Sequence, residues 1–301
     1  MMTELLNVPM DAYVSDRFDG PPSLSSGLAH TLLTRSPLHA WTKHPRLNPA
    51  WQPDDERRFD VGTAAHGVLL EGLSLVPLDF PDYRSKAAQA ARDAAKASGQ
   101  LPVLRADALD IEQLVANARE KISASPDLAG LGELLPERTI RWQDGATWLR
   151  CRPDWLTADL AVILSVKTTR ASAEPDAFLR TLLGGGYDMQ MAFERAGVQA
   201  VNNADPISSD PKYVWLVLEV ESPYAASLVG PSPALVVYGR QRMRAAVNQW
   251  RFCLTENRWP AYPDRIAYVD PPAWAEARWQ DQAAAVDDGR LLDEQLFGET
   301  P

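Results

Sequence analysis

The sequence predicts an α/β protein: a central mixed β-sheet flanked by helices, with a helical elaboration on its N-terminal side. Three observations carry this. Two strand-like segments, Arg138 to Trp142 and Thr147 to Trp155, are separated by Asp144-Gly145, a dipeptide that suits a tight hairpin turn. Two further strand-like runs, Leu160 to Lys167 and Tyr213 to Val220, alternate with segments of helical period. With 301 residues and 46% apolar content, the chain can bury a sizeable core.

Taken in order, the first 20 residues show little pattern, and a poorly ordered start is expected there. Pro21-Pro22 punctuates the chain, and Ser23-Leu24-Ser25-Ser26 offers N-cap hydroxyls for a helix through about Thr34. Ser36-Pro37 starts a short helix carrying His39 and Trp41, and Leu47 to Arg57, with Pro49, Pro53 and three acidic residues, reads as a loop. From Asp60 the pattern is helical: Val61, Ala65, Val68 and Leu69 form an apolar stripe, with Gly62, Thr63, His66 and Leu70 on a neighbouring face. Ser85 to Ser98 is an alanine-rich helix and Asp107 to Ser123 an amphipathic one.

After the hairpin and a turn at Thr157 to Asp159, Leu160 to Lys167 is the third strand. Helices are expected from Glu174 to Leu183 and from Tyr187 to Gln199, then the strand at Tyr213 to Val220 and a long helix from Pro233 to Glu256. Prolines 260, 263, 271 and 272 argue against long regular structure beyond that. Residues 21 to 275 are expected to form one domain and 276 to 301 a C-terminal tail.

Composition excludes several classes. No run approaches the roughly 18 to 20 apolar residues of a membrane span, and Met1 to Asp16 lacks the order of a signal peptide, so no membrane association and a cytoplasmic location are expected. The two cysteines, Cys151 and Cys253, read as buried thiols; two thiolates are too few for an iron-sulfur cluster held within this chain. A net charge of −10 excludes a protein that coats nucleic acid with its whole surface, and confines any DNA contact to a local groove or pore. Gly184-Gly185-Gly186 lacks the ending of a phosphate loop, and neither a G-x-S-x-G elbow nor an HExxH helix is present.

The chemistry concentrates around Arg152-Pro153-Asp154-Trp155 and Ile163-Leu164-Ser165-Val166-Lys167-Thr168-Thr169. Strand alternation points Leu160, Val162, Leu164 and Val166 into a core, and Ala161, Ile163, Ser165 and Lys167 the other way. Trp148, Arg150, Arg152 and Asp154 share a face of the preceding strand, so antiparallel pairing brings Asp154 beside Ser165 and Lys167. Phosphodiester hydrolysis uses a cation to neutralise developing charge and activate water, and Mg²⁺ takes oxygen ligands. Asp154 can be such a ligand, and Lys167 can orient water or offset phosphate charge.

These segments resemble the phage and prophage exonuclease VIII (RecE-type) branch of the PD-(D/E)XK nuclease superfamily, in which an RPDW strand precedes an I-x-D-L-K-T-T strand. Three further stretches match in the same order: Leu24-Ser25-Ser26 with Ser36-Pro37, Phe59 to His66, and Tyr187-Asp188-Met189-Gln190-Met191-Ala192-Phe193. Together they cover roughly residues 21 to 275.

The resemblance implies a restriction-endonuclease-like core and Mg²⁺-dependent degradation of double-stranded DNA from its ends, with Mn²⁺ as a possible substitute. It also implies a ring-like homo-oligomer around the duplex and a single-strand annealing recombinase as partner. By the same resemblance His66 is a metal ligand or metal-orienting group, Gln190 contacts DNA or orders the site, and Thr168, Thr169 and Tyr187 lie near DNA.

Two positions depart from the pattern. Ser165 stands where the family has an aspartate, and a neutral hydroxyl is a poor Mg²⁺ ligand. Loss of even an outer partner costs about 10- to 100-fold in metal affinity or activity. Glu194 stands where the family often has tyrosine, four residues after Gln190. Three explanations of Ser165 stay open: an engineered inactivating change, a natural homologue that binds DNA ends without cutting, or a substitute carboxylate from Glu71, Glu137 or Glu194.

Overall fold

The computed structural model describes residues 2–53, 61–202 and 210–287. Phe59 and Asp60 of the histidine motif, residues 54–57 of the expected loop and the tail beyond 287 lie outside the described residues. The chain divides into two compact units, Met1–Ala261 and Tyr262–Pro301.

In the first unit, strand β1 (Thr3–Leu6) and helix α1 (Met10–Val14) form the segment for which the sequence offers no pattern. The expectation of a poorly ordered start is corrected here. β1 pairs antiparallel with the hairpin strand β6 (Thr139–Asp144), Leu5 opposite Ile140, and the fully buried Asp16 pairs with Arg150. A four-residue strand has too few alternations to stand out in sequence, and its partner is over 130 residues away.

β2 (Ser23–Ser25) leads into α2 (Ser26–Thr34), capped by the Ser25 side chain. Ser36 caps α3 (Pro37–Lys43), where Pro37 occupies the first turn and needs no N–H partner. α4 (Val61–Leu70) carries His66. β3 (Leu75–Leu78) and β4 (Leu101–Leu104) form a small parallel pair around α5 (Lys86–Ala97), and α6 (Arg105–Ser123) follows. β5 (Leu134–Pro136) precedes β6, which forms the expected hairpin with β7 (Thr147–Cys151) across the turn at Gly145, φ 61°.

The second hairpin strand does not run on to Trp155. It stops at Cys151, and the chain changes sheet at Arg152-Pro153-Asp154 before β8 (Trp155–Thr157). Proline has no N–H to donate to a ladder, so Pro153 suits the break. β9 (Val162–Thr169) is followed by α7 (Pro175–Gly185), α8 (Tyr187–Asn202), β10 (Lys212–Glu219), β11 (Ala226–Val229) and α9 (Pro233–Glu256).

Two mixed sheets result, one ordered β1-β6-β7-β2 and the other β11-β10-β9-β8-β5. In the second, β9 and β10 are parallel, Ser165 opposite Trp215 and Lys167 opposite Val217, while β8 is antiparallel to β9. The parallel pair requires a long crossover, which α7 and α8 supply.

Both faces of this sheet are buried. Leu164, Val166, Val214, Leu216 and Leu218 pack with α4 and α6 through Ala65, Leu69, Ile111 and Leu114. Ile163, Tyr213, Trp215 and Val217 pack with α8, α2 and α9 through Met189, Phe193, Leu28 and Trp250. The sequence-based assignment of one core face therefore needs correction, because the helices cover the sheet on both sides as they do for interior strands of α/β proteins. Leu160 is corrected too: it precedes the strand at φ 61° and packs on the Ile163 side.

The second unit contains α10 (Ala273–Asp287), where the sequence leads one to expect little regular structure. Its prolines sit at 271 and 272, ahead of the helix, and the Pro272 carbonyl accepts from the amides of Ala275 and Glu276. Among the described residues no helix is long and apolar enough to cross a membrane.

Candidate active site

Asp154 sits in the bend between the two sheets, one residue before β8. Extending the antiparallel register of Trp155 with Leu164 and Leu156 with Ile163 by one step places Asp154 opposite Ser165. Ser165 Oγ donates to Asp154 Oδ2 at 2.9 Å, the Val166 amide donates to the same oxygen at 2.7 Å, and Lys167 Nζ lies 3.5 Å from it. Oδ1 faces His66 Nε2 at 3.3 Å. Burial works against the charged carboxylate, but Lys167, His66 and the Val166 N–H outweigh it and hold Asp154 well below the usual carboxylate range.

His66 reaches this point from the middle of α4, and that helix lies close against the end of β9. A Cβ added at Gly62 would lie 2.5 Å from Thr168 Oγ1, so the absence of a side chain there permits the approach. The other ring nitrogen, Nδ1, lies 3.8 Å from Glu137 Oε1. Glu137, at φ 51°, is held by Arg152, whose Nε and Nη2 donate to Oε2 at 2.9 and 2.8 Å. Its amide donates to the Asp154 carbonyl at 2.9 Å, which ties β5 to the Asp154 bend.

On the other side of the site, Lys167 Nζ lies 5.1 Å from the centre of the Tyr187 ring. One turn along α8, Gln190 Nε2 donates to Glu194 Oε1 at 2.7 Å, and the Tyr213 hydroxyl donates to Oε2 at 2.7 Å. The same hydroxyl lies within hydrogen-bonding reach of Ser165. Burial first, then the charge of Asp154, pushes the Glu194 carboxyl up to about 7.

Thr168 and Thr169 line a cleft of about 250 Å³ with Val61, Gly62, Arg170 and Glu221, at the carboxyl ends of the parallel strands where α/β sheets place their ligand crevices. Among the described residues no group of three or more His, Cys, Asp and Glu side chains is placed to hold a metal ion.

The structure thus brings Asp154, Ser165, Lys167 and His66 together, with Glu137 behind the histidine and Tyr187, Gln190 and Glu194 along one stripe of α8. Glu71 is not part of this group. It lies exposed one residue past α4, roughly 140° around the helix axis from His66.

Sequence reasoning missed two members. Tyr213 was visible only as the start of a strand; its face follows from alternation, but its neighbour Ile163 follows from a parallel pairing that no local signal encodes. Arg152 stands in the motif with no role that its position in the sequence reveals, and its ion pair with Glu137 gives it one.

No protein-family profile matches the chain, and no curated protein matches it. Its architecture is similar to a crystal structure from Eubacterium rectale described as a candidate exonuclease. The TM-score is 0.56 at 10% sequence identity, over 90% of this chain and 98% of that one. At that identity the likeness is one of fold, and the chain shares the α/β architecture of that protein.

Proposed function

We propose that this chain is a metal-dependent nuclease that degrades linear double-stranded DNA from its ends in phage-type homologous recombination. The single observation that carries the reading is the meeting of Asp154, Lys167 and His66, from the bend before β8, from β9 and from α4, around one carboxylate. The fold-level likeness to a candidate exonuclease supports it.

The donors suit a hard cation. Mg²⁺ is commonly held by one or two carboxylates, with water and substrate phosphate filling the other positions, so a closed protein cage is not required. Asp154 is kept ionised and its Oδ1 faces the His66 edge. Bound there, Mg²⁺ or Mn²⁺ would neutralise developing charge and activate water.

The chain's own groups divide the remaining work. His66 fixes the Asp154 carboxylate from α4. Lys167, between Asp154 and the Tyr187 ring, presents a positive charge to a phosphate oxygen or an attacking water. Thr168 and Thr169 offer hydroxyls along the cleft, with Tyr187 and Gln190 on the DNA side of α8. The proposal extends to a ring-like homo-oligomer, a single-strand annealing partner and a cytoplasmic site of action.

One observation favours a second reading. Asp154 Oδ2 already meets three protein donors, so the carboxylate is satisfied without a cation. On that reading the fold holds DNA ends without cutting them.

Incubation of linear and closed circular duplexes with Mg²⁺, Mn²⁺ or EDTA separates the two. The nuclease reading expects metal-dependent loss of the linear duplex alone. Retained binding with no loss at any metal concentration selects the second reading, and no binding at low salt defeats both.

A further inference from the structure

We propose that Glu194, on α8, supplies the second carboxylate of the cation site, in place of the residue missing at position 165. The proposal rests on the metal-dependent reading above.

A carboxyl group taken out of water meets a positive charge, coordinates a metal or keeps its proton. Among the described residues four acidic side chains are buried: Asp16, Glu137, Asp188 and Glu194. The first three each face an arginine, with Arg150 Nη1 at 3.3 Å from Asp16, Arg152 Nη2 at 2.8 Å from Glu137 and Arg242 Nη1 at 2.8 Å from Asp188. Glu194 is 1% exposed, and among the described residues it makes no ion pair. Its hydrogen-bond donors are the neutral Gln190 amide and Tyr213 hydroxyl, one on each oxygen. Those bonds fix the orientation of the carboxyl group, and the charge of Lys167 favours its ionised form less than burial and the charge of Asp154 oppose it.

Its location puts it beside the Asp154 site. Tyr213 donates to Glu194 and lies beside Ser165, which donates to Asp154, so the two carboxylates flank a pair of adjacent hydroxyls. An aspartate at 165, fully buried beneath α8, would put a further negative charge between them; a serine leaves room and provides a donor. The departures at 165 and 194 then form one exchange. The carboxylate lost from β9 is replaced by one reaching in from α8, and Gln190 and Tyr213 hold it in place.

The test measures Mn²⁺ binding by electron paramagnetic resonance and calorimetry, beside cleavage of linear duplex, in the parent, E194Q, D154N and the double variant S165D/E194Q. E194Q keeps the side-chain shape and is expected to lose at least about 10-fold in Mn²⁺ affinity, with the double variant recovering most of it. Thermal unfolding of each variant reports whether it folds, and recovery in the double variant separates a lost ligand from a damaged core.

If E194Q binds Mn²⁺ like the parent while D154N does not, Glu194 is outside the site and the proposal fails with the metal reading intact. If the double variant folds but stays as weak as E194Q, the exchange is likewise overturned. A parent that binds no Mn²⁺ at millimolar concentration defeats the metal reading and this proposal together.

Discussion

His66 Nε2 lies 3.3 Å from Asp154 Oδ1, joining the middle of α4 to the bend where the chain passes between its two sheets. A helix on one face of the five-stranded sheet thereby fixes a carboxylate that the opposite edge of the site shares with Ser165 and Lys167.

The first expected consequence concerns Asp154. Asp154→Asn removes the charge that Lys167 and His66 both face, and cleavage of linear duplex is expected to fall at least about 100-fold. The rate is measured beside a thermal unfolding curve, and a folded variant with parental activity would remove Asp154 from the chemistry.

Glu194 sets a pH dependence of stability in metal-free protein. Its carboxyl is raised from 4.5 to about 7, so between those values the folded state binds more protons than the unfolded state. Its contribution is fully present below about 4.5 and is lost as pH rises through about 7, amounting to about 3 kcal/mol. Urea unfolding at pH 5 and pH 8 should show a steeper loss for the parent than for Glu194→Gln. Asp154 does not mask this, because its carboxyl is depressed and its stabilisation is lost only as pH falls below its ordinary value of 3.8, under that window. Parallel profiles for the two proteins would contradict the assignment.

Gly62→Ala tests the packing of α4 on β9. Alanine normally favours a helix over glycine by about 1 kcal/mol, but here its Cβ would lie 2.5 Å from Thr168 Oγ1. A net destabilisation of about 1 to 3 kcal/mol is expected, with reduced activity as His66 shifts. Chemical denaturation decides it, and an equally stable or more stable variant would show that the approach is not tight.

Asp16→Ala tests the N-terminal segment. Asp16 is buried against Arg150 and accepts from the Ser23 amide at 3.0 Å, so its removal leaves a buried guanidinium uncompensated. The expected loss is about 3 to 5 kcal/mol by urea unfolding. A loss below about 1 kcal/mol would show that residues 2 to 16 contribute little to the folded core.

Much of the fold was legible because its signals are local. The Asp144-Gly145 turn, the serine caps at 25, 36 and 85, and the period of α6, α8 and α9 each depend on neighbours within a few residues. The errors fall where the signal is weak or non-local. β1 is too short to show alternation, Pro153 turns one expected strand into two in different sheets, and α10 begins just after prolines that argue against regular structure.

The same division applies to the site. Strand period alone placed Ser165 and Lys167 on one face, and the register with β8 set Asp154 opposite them, because a two-residue repeat fixes faces once a pairing is chosen. The sequence also marked His66, Gln190 and the three spare carboxylates, but gave no way to rank Glu71, Glu137 and Glu194. Tertiary structure ranked them. Arg152 neutralises Glu137, solvent surrounds Glu71, and the packing of α8 on the β9–β10 face buries Glu194 against Tyr213, with no ion pair among the described residues. Residue type and period determine which groups a chain can present; whether a carboxylate is solvated, paired or left seeking a cation depends on what the rest of the fold places around it.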